Sequence, residues 1–291
     1  MPSASGSDAD APAVDGPTAP RAAAFFDVDN TIVRGASAFH LAVGLYRRGF
    51  FRSWDLVRFA GHQLRYRVLG ENRRQIDSLR GEALAIMRGR SVAEVTAIAE
   101  DVYDEVLHLR IYPGTRALLD AHRAAGVPVW FVTASPREIA ELLARRLGAS
   151  GALCTIAEER DGFYTGRLVG DLLHGEAKAR AVRELAERAG LDLTRSFAYG
   201  DSTNDLPLLS SVGFPCAINP DRRLRRRAAE LGWPVRDFRP ARRNARRGAG
   251  AATLAGGAWA LAVTARAARR ALLARASRGA VGTPDQGPGP G

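Results

Sequence analysis

The chain has 291 residues, of which 46% are apolar and 25% charged, with a formal net charge of +11. The apolar share excludes a low-hydrophobicity disordered chain, and the length suits a main domain with an insertion or a smaller second domain. The charge first points to nucleic acid or an anionic membrane. It is unevenly spread, however: Arg222 to Gly291 carries sixteen arginines against Glu230, Asp237 and Asp285, a balance of +13 that leaves about −2 for everything before it.

Residues 1–21 mix Pro, Gly, Ser, Ala and Asp without apolar periodicity. They read as a disordered tail, without the positive start and long apolar centre of a secretory signal. The run from Ala22 to Phe26 predicts a buried strand that ends at the acidic loop Asp27-Val28-Asp29-Asn30-Thr31. In an extended segment, side chains two positions apart point in a similar direction, so Asp27 and Asp29 can act together. One carboxylate can attack an electrophile while the other handles a proton, and an aspartate nucleophile suits phosphorus. The same residues would also serve as turn and helix-cap acceptors.

A long stretch, residues 34–110, carries helical patterns over Ala38–Arg48, Ser53–Leu69, Glu71–Met87 and Ser91–Leu109. Ser91 and Glu94 have capping-box spacing, which sets a helix start. This is too long for a strand-to-helix loop and predicts an all-helical cap inserted over the core. Its place directly after the acidic loop favours substrate selection and solvent exclusion, with a packing-only role as the alternative.

Residues 22–33 and 111–240 make up the expected core. Strand candidates at Val127–Val132 and Ser196–Tyr199 alternate with helical patterns at Arg116–Ala125, Pro136–Leu147 and Glu176–Ala189. That alternation predicts an α/β fold with a mainly parallel sheet, whose strand-end loops converge at a topological switch point. Thr133 lies just beyond the second strand, where its hydroxyl and nearby amides can bind phosphate oxygens. Ser135 as N-cap, Pro136 at N1 and Glu138 at N3 would complete a capping box and bring a helix N-terminus beside the phosphate. A plain strand–turn–helix junction would explain Ser135 equally well. Asp161 to Gly166 reads as a small β excursion extending toward Val169.

Lys178 is the only lysine of the chain and lies between two acidic motifs. A compact ammonium neutralises a phosphate or carboxylate differently from a guanidinium. The second motif is Gly200-Asp201-Ser202-Thr203-Asn204-Asp205. Asp201 and Asp205 could hold a hard divalent cation through oxygen ligands, and magnesium fits better than a Cys/His metal. Support of the site from behind is the second reading for Asp205, and loop caps are the alternative for both. Cys154 and Cys216 lack zinc-ligand spacing and read as buried free thiols in a reducing cytoplasm. Residues 241–291 read as a basic helix and flexible tail. A small-residue apolar stretch, Gly248 to Ala265, lies between Arg246-Arg247 and Arg266. Peripheral contact with an anionic membrane, at its inner face, is one reading. Nucleic acid is less favoured, and a solvent-facing or oligomerising helix is the alternative.

Taken together, Asp27 to Thr31, Thr133, Lys178 and Gly200 to Asp205 resemble the four motifs of the haloacid dehalogenase superfamily, in the phosphoserine-phosphatase-like branch of its subfamily IB. The resemblance covers about Ala22 to Val235. It implies a Rossmann-like parallel-sheet core with an inserted all-helical cap, and a magnesium-dependent phosphohydrolase. By that resemblance Asp27 attacks phosphorus, and Asp29 protonates the leaving oxygen and then activates water. Magnesium contacts the carboxylates of Asp27 and Asp201 and the backbone carbonyl of Asp29, with Asp205 orienting the metal site. Thr133 and Lys178 hold the transferred phosphate, and Asn204 adds a polar contact. Phosphoserine phosphatases usually carry a glutamate soon after the first motif, and Arg34-Gly35-Ala36-Ser37-Ala38-Phe39 offers no acidic side chain there. The expected substrate is therefore a small phosphorylated metabolite other than phosphoserine, with phosphoserine or a lipid phosphate as alternatives. A non-enzymatic phosphate sensor is the reading from a different class.

Overall fold

The computed structural model describes residues 21–50, 84 and 87–239. The helices expected over Ser53–Leu69 and most of Glu71–Met87, the N-terminal tail and the basic C-terminal region lie outside the described residues. Residues 21–44 and 87–239 form one compact unit, and residues 45–50 and 84 fall outside it.

Seven strands make one sheet in the order β4-β3-β2-β1-β5-β6-β7. Strand β1, Ala24–Phe26, is fully buried and lies in the middle. It pairs in parallel with β2, Val129–Pro136, and with β5, Phe197–Gly200. A strand covered on both faces needs apolar side chains in every position, which is why a short continuous apolar run encodes β1. Beyond β2 lie β3, Gly151–Arg160, and antiparallel to it β4, Phe163–Val169. Beyond β5 lie β6, Phe214–Ile218, and the two-residue β7, Val235–Arg236, both parallel. The chain therefore winds outward from β1 on one side and then on the other, the arrangement that opens a crevice at strand C-termini.

The expected β excursion is a full hairpin. Its two-residue loop, Asp161 and Gly162, takes φ values of 53° and 81°, a loop in which both residues need positive φ. Strand β3 carries no clear signal in the sequence, because its residues are mostly half-buried and show no clean alternation.

Helix α1 spans Ser37–Arg47 and α2 spans Val92–Val102. The start of α2 follows the capping signal: Ser91 Oγ accepts the Glu94 N–H at 3.4 Å. The helix continues through a π turn, Tyr103–Leu107, and a 3-10 turn, His108–Arg110. Helix α3, Pro113–Ala124, begins on its proline, which has no amide to leave unsatisfied. Helix α4 spans Arg137–Leu147 and closes on Gly148 at φ 70°. Helix α5, Glu176–Ala189, has the predicted limits. A one-turn α6, Leu206–Leu209, and α7, Arg222–Glu230, complete the described elements. Phe25, Val132 and Ala198 from three neighbouring strands meet Val182 of α5 and Leu224 of α7 in one buried cluster.

The start of α4 corrects the capping-box expectation. Pro136, not Ser135, occupies the N-cap position, and no side chain caps the helix. The Ser135 hydroxyl lies instead 2.7 Å from the Ser37 hydroxyl, so a long-range partner has taken the group that a local cap would have used. Cys216 is buried as expected, whereas Cys154 is only half-buried. Among the described residues no helix is long and apolar enough to cross a membrane.

Candidate active site

Three neighbouring strands deliver the acidic and hydroxyl groups to one edge of the sheet. The Asp27 N–H donates to the Tyr199 carbonyl at 2.9 Å, which fixes the end of β1 against β5. Phe26 is in register with Phe131 and Tyr199. Thr133 and Asp201, each two residues past those partners, therefore flank Asp27.

From the opposite side α5 inserts Lys178, a residue only 4% exposed. Its Nζ donates to Asp27 Oδ1 at 2.5 Å and to Asp205 Oδ1 at 2.7 Å. The other Asp205 oxygen accepts from the Asp201 N–H at 3.2 Å, and from the Ser202 N–H and hydroxyl at 3.3 Å each. Asp205 is thus committed to holding the loop and the lysine, while no donor among the described residues bonds the Asp201 carboxylate. Gly200 makes this approach possible: a Cβ there would stand 2.6 Å from Asp205 Cβ.

One ammonium serves several carboxylates, and the site is short of positive charge. Burial works against the charge on Lys178, but Asp27 and Asp205 more than offset it and hold its pKa above the ordinary lysine range. Burial pushes Asp27 up to about 7; Lys178 opposes the shift, and Asp205 and Asp29 add to it. Burial also raises Asp201 to about 8, reinforced by Asp27 and Asp205. One carboxylate oxygen from each of Asp27, Asp201 and Asp205 lies within 4.8 Å of the others. An all-oxygen, anion-rich cluster of this kind fits a hard divalent cation, whose charge would relieve the crowding.

The Asp29 carboxylate is not part of that triad. Its Oδ1 accepts from the Ser37 N–H at 2.8 Å and the Ser37 hydroxyl at 2.6 Å, and its Oδ2 lies 3.5 Å from the Ser135 hydroxyl. Thr133 is buried, and its Oγ1 accepts the Ser135 N–H at 3.1 Å, leaving the Thr133 hydroxyl proton free to donate. Asn204 is exposed on the 3-10 turn Thr203–Asp205.

Two groups at the site escaped the reading of the sequence. Ser37 is fully buried and opens α1 one residue before the helical pattern expected from Ala38. Asn219, at the end of β6, donates through Nδ2 to the Asn30 carbonyl at 2.9 Å and accepts the Phe238 N–H at 2.7 Å. It thereby holds Asn30, whose φ of 59° makes the turn directly after Asp29. A polar residue directly after the apolar run Cys216-Ala217-Ile218 was the available signal.

Comparison with known proteins agrees with this arrangement. A family model described as haloacid dehalogenase-like hydrolase matches residues 24–210. A Mycobacterium tuberculosis protein named phosphoserine phosphatase SerB1 is 53% identical over 250 residues, covering 86% of this chain and 81% of that protein. A histidinol-phosphatase of Neisseria meningitidis is 30% identical over 220 residues, covering 74% of this chain and 98% of that protein. A solved structure from Bordetella pertussis, of unknown function, shares 30% identity at a TM-score of 0.68, covering 75% of this chain and 99% of the other. A sheet order with a switch point at β1, an aspartate-rich edge there and a family match over most of the core lead to one assignment: this chain belongs to the haloacid dehalogenase-like hydrolases.

Proposed function

We propose that the protein is a magnesium-dependent phosphomonoester hydrolase that works through an aspartyl-phosphate on Asp27, with a small phosphorylated metabolite as substrate. The observation that carries this reading is the placement of Asp27. It directly follows a fully buried central strand, touches Lys178, lies beside Asp201 and is followed two residues later by a second carboxylate that belongs to a different hydrogen-bond network. A carboxylate held this way is positioned as a nucleophile rather than as a solvated loop charge.

Asp27 attacks phosphorus while the bond to the leaving oxygen breaks. The departing oxygen keeps that electron pair and takes a proton from Asp29. In the second half, Asp29 accepts a proton from water as the water oxygen attacks phosphorus. The bond to Asp27 then breaks, releasing phosphate and restoring both carboxyl groups. Lys178 and the Thr133 hydroxyl bind the transferred phosphoryl oxygens, with Asn204 as a further polar contact. The carboxylates of Asp27 and Asp201 and the Asp29 carbonyl would hold magnesium, whose charge would offset that which phosphate brings to this acidic edge. Asp205 keeps Lys178 and the Asp201 loop in place.

Relatives at high coverage are named for phosphoserine and for histidinol phosphate, both small metabolites. Phosphoserine is the second reading, favoured by the name of the 53% identical relative. Ala36, exposed at the mouth of the acidic loop, offers no carboxylate to an ammonium group, and for that reason we place phosphoserine second. Residues 34–110 would act as the cap that selects the substrate. The basic region 241–291 would give peripheral contact with anionic membrane in the cytoplasm.

The test is turnover of a panel of phosphoserine, histidinol phosphate, sugar phosphates, glycerol phosphates and lysophosphatidate, with magnesium or with chelator. Magnesium-dependent phosphate release is expected. Binding without turnover across the panel would favour a phosphate sensor, and a large preference for phosphoserine would promote the second reading.

A further inference from the structure

The hydrogen bonds around Asp29 distinguish its two oxygens. Ser37 is the first residue of α1, so its N–H is one of the amides that the helix itself cannot satisfy. Asp29 Oδ1 takes that amide at 2.8 Å and also lies 2.6 Å from the Ser37 hydroxyl. A hydroxyl has one proton to give. Once Ser37 gives its proton to Asp29, its contact with Ser135 at 2.7 Å must run the other way, with Ser135 donating to Ser37. Both donors on Asp29 are then directed at Oδ1. Oδ2 keeps only the 3.5 Å approach of Ser135, whose proton is already engaged.

We propose that Ser37 is a positioning residue for the proton transfers of the phosphatase reaction, saturating Oδ1 of Asp29 so that Oδ2 alone carries the proton given to the leaving group and later taken from water. The inference rests on the phosphatase reading above. Ser135 links this arrangement to the phosphate site, because its hydroxyl supports Ser37 while its amide donates to Thr133 Oγ1 at 3.1 Å. Ser37 and Ser135 are both nearly inaccessible to solvent, so water would not readily replace either hydroxyl. Without the Ser37 hydroxyl only the Ser37 amide would hold Oδ1, and the carboxyl group could more readily present its proton from either oxygen. The fraction of encounters with a correctly placed proton would then fall.

The test uses the full chain with magnesium and compares two leaving groups. An alkyl alcohol needs a proton as it departs, whereas p-nitrophenolate leaves without one. kcat/KM reports the steps up to formation of the aspartyl-phosphate. Ser37→Ala should therefore lower kcat/KM by about 10-fold to 100-fold on the best alkyl phosphomonoester, a fraction of the roughly 10²-fold to 10⁴-fold that general acid catalysis supplies, with a far smaller loss on p-nitrophenyl phosphate. Ser37→Thr, which restores the hydroxyl, should recover part of the alkyl activity. Should Ser37→Ala fail to fold, Ser135→Ala decides the matter by the same comparison, with a smaller loss confined to the alkyl substrate. Equal losses on both substrates, or no loss on either, would overturn the assignment. A wild-type protein without turnover on any phosphomonoester would remove the phosphatase reading itself, a result distinguishable from the other two.

Discussion

Lys178 shows how much one side chain can hold in place. It bridges two buried carboxylates, with side-chain exposures of 7% and 1%, on separate strand-end loops. Removing the ammonium leaves those charges without compensation, which typically costs about 3–5 kcal/mol for a buried pair. Lys178→Met should lower stability by an amount of that order in urea unfolding and abolish turnover. Lys178→Arg should not restore activity, because a broad guanidinium cannot occupy the space of a compact ammonium. Asp27→Asn keeps the shape of the site and removes the nucleophile. It should fold with a Tm near wild type and lose about 10³-fold or more in kcat, as other removals of a covalent nucleophile do. Activity near wild type in this variant would reject the aspartyl-phosphate.

The raised carboxylates also give the metal-free protein a pH dependence of definite sign. In the folded chain burial holds Asp27 up at about 7 and Asp201 at about 8, against an ordinary aspartate value of 3.8. Between about pH 4 and pH 8 the folded state therefore holds protons that the unfolded chain has released. Stability is greatest at the acidic end of that window, falls as pH rises through it, and levels off above about pH 8. A cation competes with those protons, so its effect runs in the opposite direction. Melting curves with and without magnesium should show a larger magnesium-induced rise in Tm at pH 8.5 than at pH 5. An equal rise at both would mean that Asp27 and Asp201 are not its ligands.

At the scale of elements, the close contact of α1 and α2 depends on Gly44. A Cβ there would overlap the Val102 side chain, with Ile98 also within 3.3 Å. Helices can approach this closely only where one side chain is absent. Gly44→Leu should force α1 from its seat on α2 and disturb the Ser37 end of the helix. We expect a lower Tm, together with loss of activity at least as large as that of Ser37→Ala. The loop after β1 depends on Asn219 in a similar way. Asn219→Ala removes a buried clamp between Asn30 and Phe238 and should cost about 1–3 kcal/mol, the range for leaving buried polar partners unpaired. Chemical denaturation would measure it.

For the whole molecule, charge and chemistry are separated along the chain. The acidic cluster is confined to the edge of the sheet, whereas the excess of arginine lies after residue 221. A chain ended at Arg239 should therefore retain its kcat on a soluble phosphomonoester. The same truncation should lose salt-sensitive partition onto anionic liposomes, measured by co-sedimentation against neutral liposomes. Equal partition of both forms would reject a membrane role for the basic region.

By itself the sequence determined that the acidic motifs follow buried strands, because a strand buried on both faces is written as an apolar run; β2 departs from this, running on through Thr133 to Pro136 where its apolar run stops at Val132. Ala22 to Phe26, Lys178 within Glu176–Ala189 and Ser91 as the cap of α2 were legible in this way, each set by interactions within a few residues. Which strand lies beside which was not written locally, and it was the tertiary structure that brought Lys178 to Asp27 across 151 residues. The same long-range closure moved Ser135 from an expected helix cap to a partner of Ser37, 98 residues away. It also placed Asn219 against Asn30 across 189 residues. A side-chain hydroxyl or amide can satisfy a local turn or a distant partner, and local spacing is the same in both cases. Only the order of strands around β1 decides which partner lies within hydrogen-bond reach.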